Sequence, residues 1–153
     1  MRALGRRPRG FTITEIMIVL TIIGILAAIA APNMRDMVRV QRVKTAAFDL
    51  YASLNLARSE AVKRNRNVIM APVAGDWAKG WQIRDQAGTV VRDQTGWDDL
   101  KVDGPIAVTF NGAGRLNGNV APFSLTHAEI PAIKNRCISL DLSGRAVSKE
   151  GAC

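Results

Sequence analysis

The stretch FTITEIMIVLTIIGILAAIAA, residues 11–31, contains a single charged residue, Glu15. As an α-helix rising about 1.5 Å per residue it would be roughly 30 Å long, the thickness of the hydrocarbon core of a bilayer. The ten residues before it include four arginines and no acid. Because positive charge favours the cytoplasmic side, the pattern predicts one membrane-spanning helix with everything after Ala31 on the far side of the membrane.

The basic balance of the whole chain is concentrated near its beginning. The 153 residues have a net charge of +8, a balance that suggests nucleic acid or anionic membranes as partners. Residues 33–67 contain eight bases and three acids, whereas residues 68–153 contain nine of each. The net charge therefore gives no reason to expect a generally basic C-terminal region. A hydrophobic content of 48% also excludes general disorder.

A cleaved signal peptide is the main alternative for the apolar run. Ala28-Ile29-Ala30 fits a signal-peptidase site, and Arg6-Arg7 is compatible with a twin-arginine signal. However, an ionised carboxylate such as Glu15 costs about 2.5–3.5 kcal/mol at mid-bilayer, so it needs a partner or a role. The sequence also continues directly into a second helical pattern. We therefore favour a helix that is retained.

That second pattern predicts an amphipathic helix over about residues 33–65, where Gly and Pro are absent. Gly24 and Pro32 mark a place where the helix is expected to kink or melt. Bases occupy the other face and the last turn, which a solvated face and the helix dipole explain. The predicted apolar stripe consists of Met37, Val40, Val43, Ala47, Leu50, Tyr51, Leu54, Ala57, Ala61 and Val62.

After residue 67 the pattern changes to short strands separated by turn residues. The predicted fold class is therefore α+β, with a long N-terminal helix packed on a small antiparallel β head. The predicted strands are 68–73, 81–84, 89–92, 100–102, 106–110, 123–126, 137–142 and 145–148.

Few residues of the head suggest chemistry. Two cysteines, Cys137 and Cys153, are both placed outside the cytoplasm, which predicts one disulfide. His127 is the sole histidine, and the sequence has no metal-ligand cluster, catalytic motif or phosphate-binding loop. Asp98, Asp99 and Asp103 lack cation-loop spacing. We therefore predict no enzyme, no cofactor and no metal site.

The residues Arg9 to Glu15, followed by the apolar run and Pro32, resemble the class III signal of type IV prepilins and type II secretion pseudopilins. This resemblance implies that prepilin peptidase cleaves between Gly10 and Phe11 and that the new N-terminus of Phe11 is methylated. It also implies that Glu15 is retained for assembly with other major and minor pilins. A carboxylate there would neutralise the α-amine of Phe11 in a neighbouring subunit.

A second, independent segment, LARSEAVKRN at 56–65, resembles the helix end of the GspH/FimT branch of minor pilins and pseudopilins. Gly80-Trp81, Gly114-Arg115 and Gly144-Arg145 are also similar to that branch. The resemblance covers nearly the whole chain and implies a minor pilin of the type IV pilus tip or priming complex. Such a chain stays in the inner membrane, with its head in the periplasm, until it joins the filament. A type II secretion pseudopilin is an alternative that shares every motif.

The implied division of the chain has four parts. Residues 1–10 are a prepilin leader and 11–32 a transmembrane and polymerisation helix. Residues 33–67 are an amphipathic stalk helix, and 68–153 a β-rich head with a C-terminal disulfide loop.

DNA uptake is a further alternative, because some proteins of this branch bind DNA through a Gly-Arg-x-Arg motif near the C-terminus. Here Gly144-Arg145 is followed by Ala146 and Val147, so the second base of that motif is missing. If the disulfide forms, we expect four bases to converge, although Asp141 and Glu150 offset part of their charge. The candidate DNA-binding residues are Lys134, Arg136, Arg145 and Lys149.

Overall fold

The computed structural model describes residues 10–130 and 132–153, without the side chains of 29–33, 35 and 36. The predicted leader therefore lies outside the described residues, apart from Gly10. The chain divides into two compact units, Met1–Val38 and Arg39–Cys153.

One α-helix, α1, extends over Ile13–Arg64, a length of 52 residues. It is continuous through Gly24 and Pro32, where the sequence suggested a kink or melting. Within the part of the chain that the structure describes, no helix is long and apolar enough to cross a membrane. The side chains of residues 29–31 in the predicted span are not among those that the structure describes.

Helix α1 ends in a hydrogen-bonded cap that uses a left-handed residue. The amide of Arg66 donates to the carbonyl of Ala61 over 3.2 Å, and the amide of Asn65 donates to the carbonyl of Val62 over 3.1 Å. Asn65 has a φ of 48°, which this Schellman arrangement requires. The predicted helix end near residue 65 is therefore confirmed, and the strands begin three residues later.

Among the described residues of the second unit, eight antiparallel strands form two four-stranded sheets, with orders β3-β2-β1-β5 and β4-β6-β7-β8. The α+β fold class is therefore confirmed, and a strand is present in each predicted region. The strands are β1 Val68–Val73, β2 Asp76–Asp85, β3 Val90–Thr95, β4 Leu100–Asp103, β5 Val108–Phe110, β6 Phe123–His127, β7 Arg136–Leu140 and β8 Ala146–Glu150.

Strand β2 differs most from the prediction, since it has ten residues where the sequence suggested four. The reason is the turn before it. Ala74 and Gly75 have φ values of 51° and 78°, as in a two-residue hairpin turn, so β2 begins to pair with β1 directly after the turn. At Gly80, an added Cβ would lie 2.2 Å from the carbonyl oxygen of Gln94. A glycine thus lets β2 and β3 approach closely, and the strand continues where a loop was predicted.

The core of the second unit lies between α1 and the two sheets. Most of the predicted stripe is buried, and Ala46 joins it. Met37 and Val62, by contrast, are exposed on the helix. Trp77 stacks edge-on against Phe123 with ring centroids 4.8 Å apart, and its indole Nε1 donates to the carbonyl of Pro105. Since β2 and β6 belong to different sheets, this aromatic pair joins the two sheets.

Candidate functional site

The start of α1 is built as a capped helix N-terminus. The hydroxyl oxygen of Thr12 accepts a hydrogen bond from the amide of Glu15 over 3.2 Å, which satisfies one of the free amides of the first turn. Glu15 lies in that turn, where the helix dipole favours a negative charge. Sequence reasoning missed Thr12, although Thr-x-x-Glu at the edge of an apolar run is a capping signal.

From Phe11 to Leu26, the chain exposes large apolar side chains, and within α1 they point in every direction around the helix. Phe11 is 77% exposed and Ile13 84% exposed, and the large apolar residues that follow are each roughly half exposed. A helix that is apolar all round its circumference is normally buried in a membrane or among other helices. This segment therefore has the properties of a surface that other molecules cover. The side chains concerned are Ile16, Met17, Ile18, Val19, Leu20, Ile22, Ile23, Ile25 and Leu26.

In the second unit, the predicted disulfide joins Cys137 on β7 to Cys153, with Cα atoms 5.2 Å apart. The bond fastens the C-terminal segment to the sheet of β4, β6, β7 and β8. Strand β8 already pairs with β7 in register, with Cys137 opposite Lys149 and Arg136 opposite Glu150. The disulfide and the strand pairing thus order the region that contains the predicted basic residues.

Two of the four predicted DNA-binding residues contact one carboxylate. Lys134 Nζ lies 2.7 Å from Glu150 Oε1, and Arg136 lies 3.2 Å from Glu150 Oε2. The hydrogen bond from Lys134 lowers the pKa of Glu150, and the charges of Lys134, Arg136 and Lys44 lower it further. Glu150 therefore remains ionised and partly neutralises this pair of bases.

The other two predicted residues, Arg145 and Lys149, are exposed. Arg145 shares a groove with Arg136, whereas the side chain of Lys149 lies on the face of β8 opposite to that of Glu150. The turn before β8 is held by Asp141, whose carboxylate accepts hydrogen bonds from Ser143 and from the amide of Arg145. These bonds lower the pKa of Asp141, with the Ser143 hydroxyl as the largest cause. The structure thus brings Lys134 and Arg136 to one carboxylate and Arg136 and Arg145 to one groove, and Lys149 belongs to neither group.

The groove next to Arg145 has a volume of about 630 Å³ and lies between α1 and β8. We call it the β8 groove. Its walls are mainly apolar, with bases on the rim. The residues that define it are Lys44, Phe48 and Tyr51 on α1, and Arg136, Arg145 and Val147 on the sheet.

The acidic residues and the histidine considered as candidates make contacts within the fold. Asp99 pairs with Arg42 over 2.8 Å, and Asp103 lies 3.4 Å from Lys101. His127 is buried, and its Nδ1 accepts a hydrogen bond from the amide of Glu129. Among the described side chains, no group of three or more acidic, histidine or cysteine residues is arranged to hold a metal ion.

Comparison with known proteins gives two family matches. Residues 46–144 match the family described as "Type II transport protein GspH", and residues 5–31 match the "Prokaryotic N-terminal methylation motif". Two curated relatives, both named "Fimbrial protein" from Pseudomonas aeruginosa, are 37% identical over 71 residues, which is 46% of this chain. The chain spans about half the length of these relatives, since the match covers 46% of each.

Solved structures give a longer alignment. A crystal structure of the type IV minor pilin FimU of P. aeruginosa is 26% identical, with a TM-score of 0.62. That match covers 71% of this chain and 89% of FimU. The minor pseudopilin EpsH of the Type 2 Secretion System of Vibrio cholerae has a TM-score of 0.53 over 71% of this chain and 96% of EpsH. At 13% identity, the similarity to EpsH is one of fold alone.

Proposed function

Because the chain belongs to the family described as Type II transport protein GspH, we propose that it is a minor pilin of the tip or priming complex of a type IV pilus. Pilins and pseudopilins are structural subunits and not enzymes. The methylation motif implies processing by prepilin peptidase and assembly with other pilins into a pilus or pseudopilus. Similarity to the minor pilin FimU supports the pilus over the secretion system.

The observation that carries this proposal is the apolar segment at the start of α1, which no described residue covers. Such an apolar segment needs either lipid or neighbouring helices around it. The proposed sequence of events supplies both. The chain first lies in the inner membrane as a single-pass protein with its head in the periplasm, and it then enters the filament.

The proposed processing divides the chain as the sequence suggested. Prepilin peptidase removes the leader, residues 1–10, by cutting between Gly10 and Phe11, and the α-amine of Phe11 is methylated. Residues 11–32 then form the transmembrane and polymerisation helix, 33–67 the stalk and 68–153 the head. Removal of the four leader arginines leaves a formal side-chain charge of +4.

Glu15 has a proposed role in assembly beyond its place in the first turn of α1. The Thr12 hydroxyl accepts from the backbone amide of Glu15, so the carboxylate lies in the first turn of the helix, which a filament would surround with apolar helices. The opposite charge that we assign to it is the α-amine of Phe11 in a neighbouring subunit, which cleavage creates. Pairing these two charges offsets the cost of placing either one in an apolar environment.

A deletion of the gene tests the choice between pilus and secretion system. We expect loss of surface pili, counted by electron microscopy, and restoration by the full chain but not by a chain with Gly10→Val, which blocks the cut. Culture supernatants of the same strains report type II secretion. Normal piliation with lost secretion would instead establish the alternative, a type II secretion pseudopilin.

DNA binding for natural transformation is a second candidate, favoured by Arg136 and Arg145 beside the same groove. Four phosphate contacts would give weak binding that decreases steeply with salt. The test is a gel shift of the full chain in detergent at low and physiological salt, beside Arg145→Ala and Lys149→Ala. Absence of binding at low salt, or unchanged binding in both variants, would eliminate this function.

A further inference from the structure

We propose that the β8 groove binds an extended, acidic segment of another filament subunit, which pairs with the edge of β8. This inference rests on the proposed role as a filament subunit and names a contact through which the head would recognise a neighbour. Three features of the groove support it: an open strand edge, exposed apolar side chains, and an excess of positive charge.

Strand β8 is the last strand of its sheet and pairs with β7 alone among the described strands. An edge strand presents a row of backbone amides and carbonyls that a further strand can pair with. Recognition by strand addition uses such an edge for affinity and adjacent pockets for specificity. In this chain, the groove beside β8 supplies the pocket.

Large apolar side chains at the groove are exposed to solvent. Phe48 on α1 is 67% exposed, and Val147 on β8 is 42% exposed. Tyr51, about one turn after Phe48 on α1, is half-buried and also lines the groove. A volume of about 630 Å³ accommodates several side chains. An extended segment with an apolar residue beside Phe48 would cover that ring and withdraw it from water.

Charge defines the other half of the occupant's chemistry. Lys44 and Arg145 form no salt bridge within the described part of the chain, and Lys134 and Arg136 share Glu150. Asp141 is turned toward its own loop by Ser143. Three bases line the groove, Lys44, Arg136 and Arg145, and its lining residues include no carboxylate, which favours acidic side chains in the occupant.

A polypeptide fits these features better than a nucleic acid does. Phosphates would accept hydrogen bonds from the bases of the rim and from strand amides, but they have no donor for the carbonyls of a strand edge. The exposed ring of Phe48 beside the strand edge likewise matches an apolar side chain of an extended peptide. Nucleic acid is therefore an outcome that the experiment below must separate from peptide binding.

The test uses the full chain in detergent and short fluorescent peptides, followed by anisotropy. One peptide alternates Asp with Val and Phe, a second has Lys in place of Asp, and a third is the acidic peptide with alternate backbone amides methylated. We expect the acidic peptide to bind at least about tenfold more tightly than the other two. Equal binding of the methylated peptide would exclude strand addition, and no binding of the acidic peptide would overturn the proposal.

Substitutions locate the binding on the chain. Arg145→Glu, Val147→Asp and Phe48→Ser should each weaken the acidic peptide about tenfold or more. Lys79→Glu, and Val90→Asp on the exposed edge strand β3, are the matched controls and should leave affinity unchanged. Phe48 is exposed on a helix, so its substitution tests the groove even where Val147→Asp disturbs the strand.

Two further measurements separate this inference from the proposed function. A single-stranded oligonucleotide that displaces the acidic peptide from the groove would show that the site serves nucleic acid and would overturn the proposal. Processing after Gly10 is measured on the same variants. If the groove variants bind the acidic peptide as tightly as the parent chain, the groove proposal is refuted. If the same variants are processed and piliated normally, the filament role stands.

Discussion

Arg58 on α1 donates a hydrogen bond from its Nε to the backbone carbonyl of Gly114 over 3.0 Å. The same carbonyl oxygen lies 2.2 Å from the position that a Cβ on Gly144 would occupy. The helix end, the turn after β5 and the turn before β8 therefore meet at one point. Three separate segments that resemble the GspH/FimT branch in sequence are neighbours in the fold.

Arg58→Ala should destabilise the chain by about 1–2 kcal/mol, because it leaves the Gly114 carbonyl without its charged donor. Urea unfolding of the full chain in detergent, followed by tryptophan fluorescence, measures the change. Arg92→Ala on the exposed face of β3 is the matched control, expected to stay within about 0.5 kcal/mol. Equal effects of the two substitutions would show that the Arg58 contact adds nothing to stability.

Gly144→Ala should cost about 1–3 kcal/mol, because its φ of 80° is strained for any residue with a Cβ and because that Cβ would meet the Gly114 carbonyl. Gly118→Ala is the control, since no atom lies within 4 Å of the added carbon. The same unfolding measurement compares the two. If Gly144→Ala is as stable as Gly118→Ala, the close approach of the two turns is not a tight constraint.

Much of this fold follows from local patterns. The helix, the region of each strand and the disulfide pair could be predicted because periodicity, turn residues and cysteine count are local signals. The ten-residue length of β2 could not, since it depends on a turn with left-handed Ala74 and on contact between β2 and β3. An alanine gives no sequence signal for that conformation.

The site was predicted only in part for a similar reason. Sequence showed that Lys134 and Arg136 are near the C-terminus, but their pairing with Glu150 depends on the register of β7 and β8. The β8 groove depends on packing of α1 beside an edge strand, which no local pattern reports. Phe48 lies outside the predicted apolar stripe of α1, but its position beside an edge strand is a property of the folded unit.

Acidic pH should remove the stabilisation that Glu150 contributes. The pKa of this carboxylate in the folded chain is lowered from 4.5, chiefly by the hydrogen bond from Lys134. A lowered pKa means that the contribution is present above the ordinary value and is lost as the pH falls through the folded value. Glu150→Gln should therefore be less stable than the parent chain at neutral pH and equally stable at strongly acidic pH.

The pH profile is measured by urea unfolding of both chains between neutral and strongly acidic pH. Glu129→Gln, at an exposed carboxylate outside the Lys134 and Arg136 cluster, serves as control and should follow the parent chain throughout. A gap between Glu150→Gln and the parent that persists unchanged to low pH would contradict an ionic origin of the stabilisation.

Glu15→Ala should leave cleavage intact but reduce incorporation into filaments by at least about tenfold, because an unpaired charge buried among helices costs about 3–5 kcal/mol. Thr12→Ala, which removes the helix cap without removing the charge, separates the two roles of this turn. Immunoblots of sheared filaments and of membranes measure incorporation and processing together. Normal incorporation of Glu15→Ala would argue against the ion pair with the α-amine of Phe11.

Processing at the start of the chain is the central claim, because both membrane orientation and filament assembly follow from it. Intact-mass and N-terminal fragment spectrometry of the chain purified from its own cells measures it directly. We predict a mature protein that begins at Phe11 and has one extra methyl group on its α-amine. A protein that begins at Ala31, or one that retains Met1 and the four leader arginines, would contradict the account.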